Sequence, residues 1–107
     1  MKKHGRAVVA GHLCLDIIPQ FDPGLHQEFK DIFWPGGLTR VGPAILATGG
    51  AVSNTGLALH RLGIGTRLVG KIGGDLYGHA IHQIISSYGS DLEEGLVVDQ
   101  DGATSYT

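Results

Sequence analysis

The chain has 107 residues, 42% hydrophobic and 17% charged, which is enough for one domain with a modest core and too little for two. Its 8 basic and 10 acidic residues leave a formal charge of −2, with no basic run, so neither nucleic acid nor an anionic membrane is an expected partner. A single cysteine, Cys14, excludes an internal disulfide and fits a reducing cytoplasm.

The first residues carry positive charge, but the apolar stretch after them is broken by Gly11, His12 and Asp16, a poor pattern for a signal peptide. No apolar run approaches the roughly 20 residues of a membrane span. A cytoplasmic protein is the expectation.

In chain order, Ala7 to Ala10 is apolar, and Leu13 to Ile18 continues that character up to Pro19. The pattern predicts one buried strand, with Asp16 at or just past its C-terminal end. Residues 19 to 37 mix Pro19, Pro23, Gly24, Pro35, Gly36 and Gly37 with aromatic and charged residues, which predicts loops. Leu38 to Thr48 reads as one or two strands interrupted at Gly42-Pro43.

Past Gly49-Gly50, the spacing of Val52, Leu59 and Leu62 predicts a helix with these residues on one face, capped by Ser53 or Asn54 and closed by Gly63. Thr66 to Ile72 reads as a strand. Asp75 precedes a second helix on which Ile81, Ile84, Ile85 and Tyr88 share a face, closed by Gly89. Leu96 to Val98 reads as a third core strand, and Thr104 to Thr107 begins another without a turn after it, the pattern of a truncated reading frame or a fragment. Strand, helix, strand, helix, strand is the rhythm of a parallel α/β sheet.

Glycine is in excess, 18 of 107 residues, against a usual share of about 7%. The most informative cluster is Gly49-Gly50-Ala51-Val52-Ser53-Asn54. Two glycines at a helix entrance allow close approach of a bound molecule and leave N–H groups free to donate. An Asn one turn in offers both a donor and an acceptor to a hydroxyl. On these residues alone, a plain turn followed by a capped helix is the simpler reading.

This stretch, continued by Leu62-Gly63 and by Gly73-Gly74-Asp75, resembles the N-terminal signature of the PfkB (ribokinase-like) carbohydrate kinases. The family has a Gly-Gly pair, an Asn four residues on, a Leu-Gly ending the helix and a Gly-x-Asp before the next helix, in the same register. The segment Val8 to Asp16 also resembles the family's first strand, which ends in an Asp. The resemblance implies the N-terminal part of a ribokinase-like three-layer α/β sandwich with a mainly parallel sheet. A small β lid would be inserted at about residues 20–48.

It further implies that Asp16 binds hydroxyls of a sugar or nucleoside, which suits a carboxylate able to accept charge-assisted hydrogen bonds. Gly49 and Gly50 would give close backbone contact, and Asn54 a side-chain contact. The family's lid offers a surface through which two copies pair, to which Phe33 and Trp34 would belong unless they serve the lid's own packing. Cys14 and Ala51 stand where the family's ribose-phosphorylating members have Asn and Lys, which argues against ribose.

The phosphoryl donor implied is ATP with magnesium. The Gly-Ala-Gly-Asp motif that bears the family's base, the Asn-x-x-Glu stretch that positions magnesium and the adenine site do not occur in residues 1–107. No catalytic, cofactor or metal-binding residue is therefore expected here. The chain reads as the substrate-binding part of a sugar or nucleoside kinase, inactive by itself. The alternative is a non-catalytic sugar-binding or dimerisation module.

Several motifs are set aside. Asp75 matches the family's helix-capping Gly-x-Asp and not its base. Gly65 to Ile72 has the glycine and lysine spacing of a phosphate loop, but Ile72 replaces the magnesium-binding Ser or Thr. Gly63-Ile64-Gly65 lacks the third glycine of a dinucleotide fingerprint, because Leu68 stands there. His79 and His82 share a helix but no supporting ligand, and read as surface histidines. Cys14 reads as a small buried thiol, and Glu93-Glu94 as solvated.

Overall fold

The computed structural model describes residues 5–21 and 28–107. The first apolar stretch is two strands and not one. β1 (Arg6–Ala10) and β2 (Cys14–Gln20) flank a short break and enter different sheets. β1 alternates between half-buried and exposed positions, with Val8 68% exposed, whereas Leu13, Cys14 and Leu15 are all buried. Composition alone does not separate these two regimes, because both runs are apolar.

After β2 come a single helical turn, α1 (Phe29–Ile32), and one strand, β3 (Gly42–Gly49), with Pro43 inside it. β2 and β3 pair antiparallel, with Cys14 opposite Gly49 and Asp16 opposite Ala47. The register shifts between Ile18 and Gln20, beside the proline that cannot donate to the ladder. The chain then alternates as expected: α2 (Gly50–Arg61), β4 (Gly65–Gly73), α3 (Leu76–Tyr88), a 3-10 turn (Leu92–Gly95) and β5 (Leu96–Asp99).

β1, β4 and β5 form a parallel sheet in the order β1-β4-β5, with Val9 beside Leu68 and Gly70 beside Leu96. A single core joins Leu13, Leu15, Val52, Leu68, Ile81 and Ile85, so α2 and α3 cover the same face of this sheet. The other face presents Val8 beside Arg67 and Lys71 beside Val97, all exposed among the described residues. β5 is therefore less of a core strand than its sequence suggests, with Val97 55% exposed. No helix of the described residues is long and apolar enough to cross a membrane.

The buried face of α2 is Val52, Ser53, Gly56 and Leu57, whereas Leu62 is 77% exposed and Leu59 half-buried. Packing selects Gly56 against Leu68 of β4 and Ser53 against Thr48 of β3, small residues that a search for large apolar side chains passes over. Neither Ser53 nor Asn54 caps the helix. The cap position is Gly49 without a side-chain bond, and Ser53 is buried in a 2.5 Å hydrogen bond with the Thr48 hydroxyl. The C-terminus ends as expected, with Gly63 at a φ of +82°. The Gly63 N–H donates to His60 and the Ile64 N–H to Leu59, the two bonds of a Schellman closure.

Asp75 does cap α3, accepting from the Gly78 N–H at 2.8 Å. It also accepts from both the hydroxyl (2.6 Å) and the N–H (2.9 Å) of Thr104, while the Thr104 hydroxyl oxygen accepts from the Gly73 N–H at 2.8 Å. One carboxylate thus ties the end of β4, the start of α3 and the segment after β5. The bonds from Thr104, then the one from Gly78, hold its carboxyl at about 2 against an ordinary 3.8.

Because the folded value is the lower one, this contribution is complete above about pH 4 and is lost as pH falls through about 2. The melting temperature is expected to drop across that interval, and Asp75→Ala to show a lower melting temperature at neutral pH without that acid step. Thermal denaturation at a series of pH values measures both. Equal acid profiles for the two proteins would contradict the assignment.

Candidate functional site

Asp16 and Gly49 come together at the junction of β2, β3 and α2. In a strand, residues two apart share a face, so Cys14 and Asp16 lie on one side of the β2–β3 ribbon, with Gly49 directly across from Cys14. A Cβ on Gly49 would come to 2.6 Å and 2.8 Å from the two Asp16 carboxylate oxygens. The missing side chain is what lets the carboxylate lie against the backbone there. That backbone is the N-cap of α2, where unpaired N–H groups and the helix dipole favour a negative charge.

Gly50 is required for a second reason. Its φ is +86°, and a Cβ there would meet the His12 carbonyl oxygen at 2.6 Å. The same carbonyl accepts from the Val52 N–H at 3.1 Å. The β1–β2 break therefore docks on the first turn of α2, and the Gly-Gly pair is what permits that docking.

The Cys14 thiol donates to Asp16 Oδ1 at 3.6 Å. Burial pushes this thiol up, and the adjacent Asp16 charge and the hydrogen bond to Asp16 push it further, partly offset by hydrogen bonds from Thr107 and Gly49. Thr107 was not a site candidate in the sequence. It arrives by long-range pairing: Tyr106 lies parallel to Leu15, with the Leu15 N–H donating to Ser105 and the Ile17 N–H to Thr107. Ser105 and Thr107 therefore share the face of Cys14 and Asp16, and no local sequence signal marks them.

Asn54 is exposed on α2 and lines a cleft along β3 with Leu46, Thr48, Leu57, Arg61 and Tyr88; Asp16 is not among the residues that line it. Phe33 and Trp34 sit on the connection between α1 and β3, 56% and 49% exposed, with Phe21 edge-on to Phe33 at 6.3 Å between ring centres.

The histidines on α3 are engaged separately, His79 with Gln83 at 3.2 Å and His82 with Glu93 at 3.3 Å. Glu93 is accordingly half-buried against α3, whereas a solvated residue was expected. Among the described residues no three His, Cys, Asp or Glu side chains converge on a point that would hold a metal ion. Asp16 is a carboxylate acceptor suited to hydroxyl donors.

Comparison with known proteins gives a consistent set of relatives. No family model matches the chain. It is 32% identical over 100 residues to a nucleoside kinase of Methanothermobacter thermautotrophicus, covering 92% of this chain and 30% of that protein. It is 41% identical over 64 residues to fructokinase-1 of Zea mays, covering 59% of this chain and 20% of that one. The fold matches the crystal structure of fructokinase with bound ATP from Xylella fastidiosa, with a TM-score of 0.68 at 20% identity, over 97% of this chain and 29% of that one. The chain thus spans less than a third of the length of each.

Proposed function

From the premise that this chain belongs to the PfkB (ribokinase-like) carbohydrate kinase family, we propose that it forms the acceptor-binding part of an ATP-dependent kinase. That kinase phosphorylates a hydroxyl of a sugar or nucleoside. The observation that carries the proposal is the Asp16 carboxylate laid against Gly49 at the N-terminus of α2. The likeness to a nucleoside kinase and a fructokinase supports the substrate class.

Within this reading, Asp16 accepts hydrogen bonds from substrate hydroxyls, and its charge makes each of them stronger than a neutral pair. The backbone of Gly49 and Gly50 lies beside the bound substrate next to the Asp16 carboxylate, and Asn54 offers a further donor and acceptor. The segment at about residues 20–48, of which 22–27 lie outside the described residues, acts as the lid, excluding water from the bound hydroxyls and offering a pairing surface to a second copy. Phosphoryl transfer, with ATP and its magnesium, belongs to residues beyond this chain, so the 107 residues alone bind and orient the acceptor without turning it over.

The test is ligand-dependent melting with D-fructose and adenosine as probes, followed by titration of whichever raises the melting temperature. Asp16→Ala is expected to weaken binding by roughly 1.5–3 kcal/mol per hydroxyl lost, on the order of 10- to 150-fold. Unchanged affinity in Asp16→Ala would remove Asp16 from the site.

A further inference from the structure

The proposed role of Asp16 requires a carboxylate held in one orientation, and two neighbours provide that. The Cys14 thiol lies on the same face of β2 and donates to Oδ1 at 3.6 Å. Gly49, opposite Cys14 in the ribbon, leaves open the volume that the carboxylate fills, since a Cβ there would meet Oδ2 at 2.6 Å. Among the described residues Oδ2 accepts no hydrogen bond. Cys14 itself is 7% exposed, and its thiol also accepts a hydrogen bond from the Thr107 side chain.

Resting on the acceptor-binding reading above, we propose that Cys14 is a positioning residue for Asp16. Its thiol and the bare Cα of Gly49 fix the carboxylate so that Oδ1 is occupied and Oδ2 is presented to the ligand hydroxyl. A thiol fits this duty chemically. It is a weak single donor whose large sulfur spans the distance between side chains two residues apart, and it competes poorly with a sugar for the second oxygen. The consequence is reciprocal: the carboxylate that Cys14 orients also disfavours the thiolate, so the sole cysteine of the chain is kept in its unreactive form.

Two measurements test this, and the first needs no ligand. The rate of Cys14 alkylation by iodoacetamide is followed against pH by intact mass, in the unmodified chain and in Asp16→Asn. Loss of the carboxylate is expected to shift the midpoint of the rate profile to lower pH, and an unshifted midpoint would overturn the proposal whether or not a sugar binds.

The second is a double-variant cycle on the affinity for D-fructose or adenosine. Cys14→Ala is expected to weaken binding roughly 3- to 10-fold in the unmodified background and to have no effect in Asp16→Ala, which removes the acceptor. Equal losses in both backgrounds would show that Cys14 acts independently of Asp16, and the proposal would fall. Absence of binding by the unmodified chain would instead count against the acceptor-binding reading, leaving the alkylation profile to decide the role of Cys14.

Discussion

Truncating Leu68 to alanine is expected to destabilise the chain by about 2–5 kcal/mol, as for other fully buried leucines. Leu68 is 0% exposed on β4, at the centre of the core that α2 and α3 share. Its partner in α2 is Gly56, where an added Cβ would fall on the Leu68 Cδ2 atom. Gly56→Ala is therefore expected to cost about 1–3 kcal/mol by overpacking, against the gain of up to about 1 kcal/mol that the same change brings in an unconstrained helix.

In the double variant the new methyl group enters the space Leu68 leaves. The two losses should then add to less than their sum by about 0.5–3 kcal/mol, the range found for residues in direct contact. Urea denaturation of the four proteins measures the coupling. Strict additivity would mean that α2 does not rest on Leu68 through Gly56.

Gly78→Ala is the second large effect, and its sign is opposite to helix propensity. Gly78 lies in the first turn of α3 and is buried. A Cβ there would collide with the Gly73 carbonyl oxygen and come to 2.9 Å from the Thr104 hydroxyl oxygen. The first obstacle is backbone, in the peptide unit whose Gly74 N–H donates to the Asp99 carbonyl, so it cannot rotate aside as a flexible side chain would. The expected loss is roughly 3 kcal/mol or more, the upper end of overpacking effects. It should be accompanied by a smaller acid step at Asp75, since displacement of α3 weakens the Gly78 N–H bond while the two Thr104 bonds remain. Ser87→Ala, at an exposed position of the same helix, serves as the control and should change stability little.

Much of the architecture is legible from local pattern. The alternation of α2, β4, α3 and β5 follows the hydrophobic periodicities, and Asp75 and Gly63 announce their caps by residue type. The failures share one physical cause, which is that tertiary packing decides what local composition leaves open. The split between β1 and β2 depends on which sheet each apolar run joins. The true buried face of α2 runs through Ser53 and Gly56, small residues that lie against β3 and β4 respectively. Glu93 turns toward α3 because His82 is there, which no spacing rule reveals.

The site divides in the same way. Asp16, Gly49, Gly50 and Asn54 are named by motif, and the first two meet in space. Ser105 and Thr107 reach the face of Cys14 and Asp16 only through strand pairing between residues far apart in sequence. The orienting contact of Cys14 depends on the phase of β2, which the single-strand expectation leaves unspecified.

That long-range pairing bears on the order in which the candidate site is assembled. β2 is flanked on one side by β3, a neighbour in sequence, and on the other by residues 105–107. Contacts between distant segments require closure of a large loop and form late in folding. During synthesis the carboxylate-bearing strand emerges early and must wait for the last residues of this segment before its second edge is closed. Closure of that edge is thereby tied to formation of the scaffold between β3 and residue 105, and without residues 105–107 the Gly-Gly motif would have one wall of its recess missing.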